Sequence, residues 1–161
     1  MTVFHPIKPL FNEDSRILIL GSFPSVKSRE SMFFYGHPQN RFWRVISAVF
    51  GEKTPQNVEE KINLLLKNNI AVWDVIKSCE ISGSSDSSIK NVVPNDISII
   101  LNVAKIEKII VNGKTAEKYY NKYLKNSLNR DAICMPSTSP ANAIWKESDL
   151  IHEWAKVILE K

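Results

Sequence analysis

An α/β fold, with a parallel sheet layered between helices, is what this sequence predicts. Three observations point to it. Short apolar runs at 17–20, 70–76, 106–111 and 132–135 read as buried strands. The segments between them carry apolar residues at helical spacing. Turn residues such as Gly21, Gly51, Asn69 and the Asn112-Gly113 pair mark the boundaries. Strands alternating with helices imply a three-layer α/β/α sandwich on a four-stranded parallel sheet.

The elements follow in order. The first strand, 17–20, is closed by Gly21. A helix is expected from Pro38, with Phe42, Val45, Ile46, Val49 and Phe50 on one face and Gly51 at its end. Thr54-Pro55 opens a second helix striped by Val58, Ile62, Leu65 and Leu66, closed by Asn69. The second strand is 70–76. Asp96 caps a helix over 97–104, and 106–111 is the third strand. Asn112-Gly113 turns into a helix over 114–126, and 132–135 is the fourth strand. Ser148 caps a last helix whose Ile151, Trp154, Val157 and Ile158 face inward.

With 161 residues, 43% of them hydrophobic, the chain suits one domain over 1–161. Its net charge of +4 is compatible with a polyanionic partner without demanding one. Cys79 and Cys134 form no C-x-x-C pair and no cluster with zinc spacing, so no metal or other cofactor is expected. The N-terminal stretch lacks the pattern of a signal peptide, and no apolar run approaches the ~18 residues of a membrane span. The expected address is the cytoplasm and the expected state a monomer.

Right-handed crossovers gather the strand C-termini on one edge, where such folds bind ligands. The segments falling there read GSFPS, WDVIKSC, NGKTA and PSTSPAN. The span from Gly21 to Trp43 is the densest. It brings the aromatic trio Phe33, Phe34 and Tyr35 next to His37, Gln39 and Asn40. Stacking faces beside amides are what a nucleobase pocket needs, although aromatics alone read equally as core. The hydroxyl- and proline-rich loop at 136–142 reads either as a capping turn or as a phosphate grip. Lys114, Lys118, Lys122 and Lys125 share a helical face, which is more often solvated than bound to phosphate. His5 and His152 read as surface or packing histidines. No G-x-S-x-G, G-x-x-x-x-G-K-[ST] or G-x-G-x-x-G occurs, which excludes those hydrolase and nucleotide-binding signatures.

Taken together, GSFPS at 21–25, YGHPQNRFW at 35–43 and PSTSPAN at 136–142 resemble the uracil-DNA glycosylase superfamily, most closely its hypoxanthine-DNA glycosylase branch. The resemblance spans nearly the whole chain. It implies a four-stranded parallel sheet between helices, and an enzyme of base-excision repair that flips a deaminated base from DNA and hydrolyses its N-glycosidic bond. Hypoxanthine is the favoured base. Uracil, or a catalytically silent DNA-binding relative, is the alternative.

The resemblance also implies roles. Phe23 stands where the mismatch-specific branch carries a water-positioning asparagine, so Asn40 is the expected catalytic residue. His37 either donates to the leaving base or a phosphate, or caps the helix. Gly21, Ser22, Phe23, Pro24, Phe34, Tyr35, Asp74 and Asn112 are expected at the base. Ser25, Ser137, Ser139, Pro140, Ala141 and Asn142 are expected at the DNA strand, with Ala141 where a larger wedge is usual. No lysine is clearly placed for a Schiff base, so a monofunctional enzyme is expected.

Overall fold

The computed structural model describes residues 1–160. The elements run β1 Thr2–Phe4, β2 Ile17–Gly21, α1 Val26–Ser31, α2 Phe42–Val49, α3 Val58–Lys67, β3 Ile70–Asp74, β4 Ile76–Glu80, β5 Lys90–Pro94, α4 Ser98–Leu101, β6 Lys108–Asn112, α5 Lys114–Tyr123, α6 Lys125–Leu128, β7 Ile133–Met135 and α7 Glu147–Ile158. The central sheet has the order β3-β2-β6-β7 and is parallel throughout. β2 lies inside it, and Leu18, Ile19 and Leu20 are wholly buried. A strand covered on both faces has no reason to alternate polar and apolar residues, which is why it shows as a plain apolar run. α3 packs on β3, α5 on β6 and β7, and α2 on α7.

Several boundaries differ from the sequence expectation. The apolar run at 70–76 is two strands. β3 ends at Asp74, and from Ile76 the chain joins a second, antiparallel sheet of order β1-β4-β5. The run hides the break because residues on both sides of it are buried. Asn95, itself buried, stitches the break by donating its amide to the carbonyls of Asp74 and Ile76, at 2.9 and 3.2 Å. β1 and β5 are mostly exposed, so neither has a strong apolar signature.

The helix expected from Pro38 begins at Phe42. Residues 37–40 form a turn instead, closed by the Asn40 N–H on the His37 carbonyl at 2.9 Å. Asn57, and not Thr54, caps α3 by accepting the Glu60 N–H at 2.9 Å. Leu64 and Leu65 are that helix's buried residues, while Val58 is exposed. Only a short α4 forms within 97–104, although Asp96 does accept the Ser98 N–H. The helix expected over 114–126 breaks between Tyr123 and Lys125. Lys146, and not Ser148, precedes α7, whose buried residues are Leu150, Trp154 and Ile158.

Candidate active site

The C-terminal ends of β2, β3, β6 and β7 open onto one cleft of about 990 Å³. The residues assigned above to catalysis, the base and the DNA strand all line it, namely Gly21 to Ser25, Phe34, Tyr35, His37, Asn40, Asp74, Asn112, Ser137 and Ser139 to Asn142, whereas Gln39 does not. Such convergence is what a parallel sheet imposes, because each strand delivers the residue after it to the same edge. Phe33 is the exception among the aromatics. It stacks on Trp43, with ring centroids 6.0 Å apart, and does not line the cleft.

Asn40 is held on two sides. Its Oδ1 accepts the Phe42 N–H at 2.9 Å and the Thr138 hydroxyl at 2.9 Å. Thr138 is wholly buried and also ties down Asn112. Its Oγ1 accepts the Asn112 side-chain Nδ2–H at 3.0 Å, and its N–H donates to the Asn112 side-chain Oδ1 at 3.1 Å. One threonine therefore joins the two cleft amides. Sequence reasoning passed over it because its neighbours Ser137 and Ser139 offer the same chemistry.

Arg41 clamps the 136–142 loop to the start of α2. Its guanidinium donates to the carbonyls of Trp145, Ser139 and Asn142 at 2.5, 3.2 and 3.1 Å. Asn142 reinforces the loop by donating to the Ser137 carbonyl at 2.9 Å. His37 Nδ1 accepts the Gln39 N–H at 3.1 Å, so the turn fixes the proton on Nε2.

The aromatic segment is rigid. Trp43 Nε1 donates to the carbonyls of Phe34 and Tyr35 at 3.3 and 3.2 Å. Tyr35 sits at φ +50° with its ring stacked on Phe42, 3.9 Å between centroids. A non-glycine residue in that region is strained, and such strain gathers at functional sites. The Tyr35 hydroxyl is buried and has no hydrogen-bond partner among the described residues. Burial, and then the Asp74 carboxylate, push its pKa well above the ordinary phenol value, opposed by the Asn112 amide.

Asp74 departs most from expectation because of its partner. Its Oδ2 accepts Nε2–H of His5 at 2.7 Å, with both side chains buried. Phe23, Phe34 and Trp73 surround the His5 ring. His5 is thus a packing histidine in part, but not a surface one. Its signal in sequence is faint, a lone histidine between Phe4 and Pro6, 69 positions from Asp74. His152 is exposed, as expected.

The lysine face is mixed. Lys114 lines the cleft, Lys118 and Lys122 lie over Tyr119 and Tyr123, and Lys125 pairs with Asp131. The serine-rich stretch Ser84 to Ser87 also borders the cleft, anchored where Ser84 accepts the Val26 N–H at 2.9 Å. Among the described residues no three His, Cys, Asp or Glu converge as metal ligands, and no helix is long and apolar enough to cross a membrane.

The parallel α/β sheet thus gathers amides, a carboxylate and fixed aromatics at its C-terminal edge, the place where such folds bind ligands. Residues 8–158 match the model of the uracil DNA glycosylase superfamily, and the chain belongs to that family. It is 36% identical over 135 residues to the hypoxanthine DNA glycosylase of Methanosarcina acetivorans, covering 83% of this chain and 84% of that one. To the hypoxanthine DNA glycosylase of Methanosarcina barkeri it is 35% identical over 113 residues, covering 69% and 72%. A solution NMR structure of a Methanosarcina acetivorans protein, described as a candidate uracil DNA glycosylase, superposes with a TM-score of 0.83 at 32% identity, over 98% of this chain and 97% of that one.

Proposed function

We propose that this superfamily member removes hypoxanthine from DNA as a monofunctional glycosylase. The general activity, hydrolysis of an N-glycosidic bond in DNA, comes with the family and with both named relatives. The observation that carries the finer reading is the meeting of Asn40, Asp74 and the Tyr35 segment in one cleft. A base in a duplex is out of reach of such a cleft, so the nucleotide must swing out of the stack. A mispaired deaminated base does so at lower cost than a paired one.

In this reading the bond from C1′ to the base nitrogen breaks with its electron pair going to the base. The sugar becomes cationic and oxocarbenium-like, as in other glycoside hydrolyses. A water oxygen bonds to C1′, one water proton is lost to solvent, and the base takes up a proton. The products are free hypoxanthine and an abasic sugar. Asn40 orients the water as an acceptor and is not a strong base. The Thr138 hydroxyl and the Phe42 N–H hold the Asn40 amide in place. His37 presents Nε2–H to the leaving base or a nearby phosphate. Asp74 accepts a ring N–H of the base. Ser25 and the 137–142 loop face the DNA strand. The protein acts as a single-domain monomer in the cytoplasm and needs no cofactor.

The test is single-turnover release from matched duplexes holding inosine, deoxyuridine or deoxyadenosine at one position. Hypoxanthine release well ahead of adenine is expected. Faster release of uracil would move the assignment to that base. Release of neither would leave a DNA-binding protein without this chemistry.

A further inference from the structure

We propose that His5, Asp74 and Tyr35 form a reader of the lactam edge of the base, with His5 as the positioning residue. This deepens the reading above and rests on it for the identity of the ligand. A lactam edge is a carbonyl next to a ring N–H, present in hypoxanthine and absent from unsubstituted purine.

The His5 ring has one tautomer available to it. Nδ1 accepts the Ile7 N–H at 3.1 Å, so the proton sits on Nε2 and is donated to Asp74 Oδ2 at 2.7 Å. The carboxylate is thereby fixed in rotation, and Oδ1 is left with no hydrogen bond among the described residues. A side chain added at Gly21 would collide with that Oδ1 and come within 3.1 Å of the Tyr35 hydroxyl. Gly21, Tyr35 and Asp74 all line the cleft, and the bare glycine leaves space beside both the Asp74 acceptor and the Tyr35 donor. The Tyr35 hydroxyl is buried and unpartnered without ligand, a costly state that a bound carbonyl would relieve. The match is the ring N–H donating to Asp74 Oδ1 and the Tyr35 hydroxyl donating to the base carbonyl. His5 touches no ligand in this arrangement and acts only through Asp74.

The experiment measures affinity for duplexes carrying hypoxanthine or unsubstituted purine on an uncleavable 2′-fluorinated sugar. Wild type should favour the hypoxanthine duplex. His5→Gln can place an amide N–H where Nε2–H stood and should keep that preference. His5→Asn is too short to reach Asp74 and should reduce the preference roughly tenfold, the scale of one hydrogen bond to a charged group. Tyr35→Phe should reduce it as well. Melting temperatures taken alongside separate misfolding from lost recognition. Equal weakening toward both duplexes in His5→Asn would make His5 a packing residue only and overturn the proposal. So would a wild type that does not discriminate. A protein that prefers hypoxanthine in binding yet never releases it would keep this proposal while removing the glycosylase reading.

Discussion

Arg41→Ala should loosen the loop at 139–145 without changing how many phosphates the protein neutralises. An arginine inside HPQNRFW invites the opposite reading, a phosphate contact. In the fold its guanidinium donates to three backbone carbonyls, those of Trp145, Ser139 and Asn142. Hydrogen bonds to a charged group are worth about 1.5–3 kcal/mol each in buried settings. Arg41 is half-exposed, so water replaces part of this and the sum is discounted to about 2–4 kcal/mol. For a domain of this size, 1 kcal/mol corresponds to roughly 2–4 °C in Tm, which gives a fall of roughly 4–16 °C. A shift of about 1 Å in a positioning segment can lower a rate about a hundredfold. Thr138 lies at the base of this loop and donates to Asn40, so the single-turnover rate should fall on that scale.

Three measurements decide it: thermal melts, single-turnover release, and the salt dependence of duplex binding. A lost phosphate contact would flatten the slope of log affinity against log salt by about 0.9. We expect an unchanged slope, a lower Tm and a slower rate. Arg41→Lys should recover little, because an ammonium lacks the planar fork that spans several carbonyls. An unchanged Tm with a slope reduced by about one would refute the reasoning and return Arg41 to the DNA surface.

Asn40→Ala should slow base release by roughly a hundredfold or more, the usual scale for a group acting in the chemical step, while binding of the same duplex changes little; near-normal single-turnover rates would displace Asn40 from the mechanism. Gly21→Ala drives a methyl group into Asp74 Oδ1, which His5 prevents from yielding, so base release should be lost and Tm should fall by several degrees. The raised Tyr35 pKa makes stability pH-dependent at the alkaline end: below the ordinary phenol value near 10 both states keep the proton, and above it the unfolded chain ionises while the folded one does not. Wild type should therefore lose more Tm than Tyr35→Phe between pH 9 and pH 11, and equal losses would contradict the buried hydroxyl. Base release should persist in excess EDTA; loss of activity that added metal restores would refute the water-and-dipole mechanism.

Legibility in the sequence followed the physics of each signal. Strands buried on both faces announce themselves as apolar runs, as β2, β3 and β6 do; β7, an edge strand with Ile133 exposed, still reads as a short apolar run. The same signal concealed the change of sheet after Asp74, since burial continues through Val75 and Ile76. The residues at the strand ends could be placed in one cleft because parallel topology leaves them nowhere else to gather. Contacts made across long chain separations were not visible. His5 reaches Asp74 over 69 positions, and Arg41 reaches the Trp145 carbonyl over 104. Neither partner leaves a periodic or spaced pattern for sequence reasoning to find. Thr138 failed to show for another reason, because a serine–threonine run reads the same whether its hydroxyls cap a turn or join two cleft amides.

The position of Phe23 bears on why the proposed mechanism assigns the water to Asn40. The mismatch-specific branch that GSFPS resembles has an asparagine in that place. Here the side chain lines the cleft and packs: Phe23 is buried edge-on against His5 and lies under the Arg29 guanidinium at 5.4 Å. A phenyl ring there helps close the apolar shell around the His5–Asp74 pair. A carboxylate–imidazole contact gains strength when water is kept from it. In the proposed mechanism Phe23 offers no amide to hold the water, so that role falls to an amide from elsewhere. Asn40 supplies it from the turn before α2, a segment that nothing in β2 holds in place. Its tether is Thr138, on the loop that follows β7, and that loop is in turn clamped by Arg41, the residue next to Asn40. The loop expected to face DNA and the amide expected to hold water thus fix one another. On this argument, binding a duplex against the 137–142 loop and positioning Asn40 for attack are coupled through a single hydroxyl.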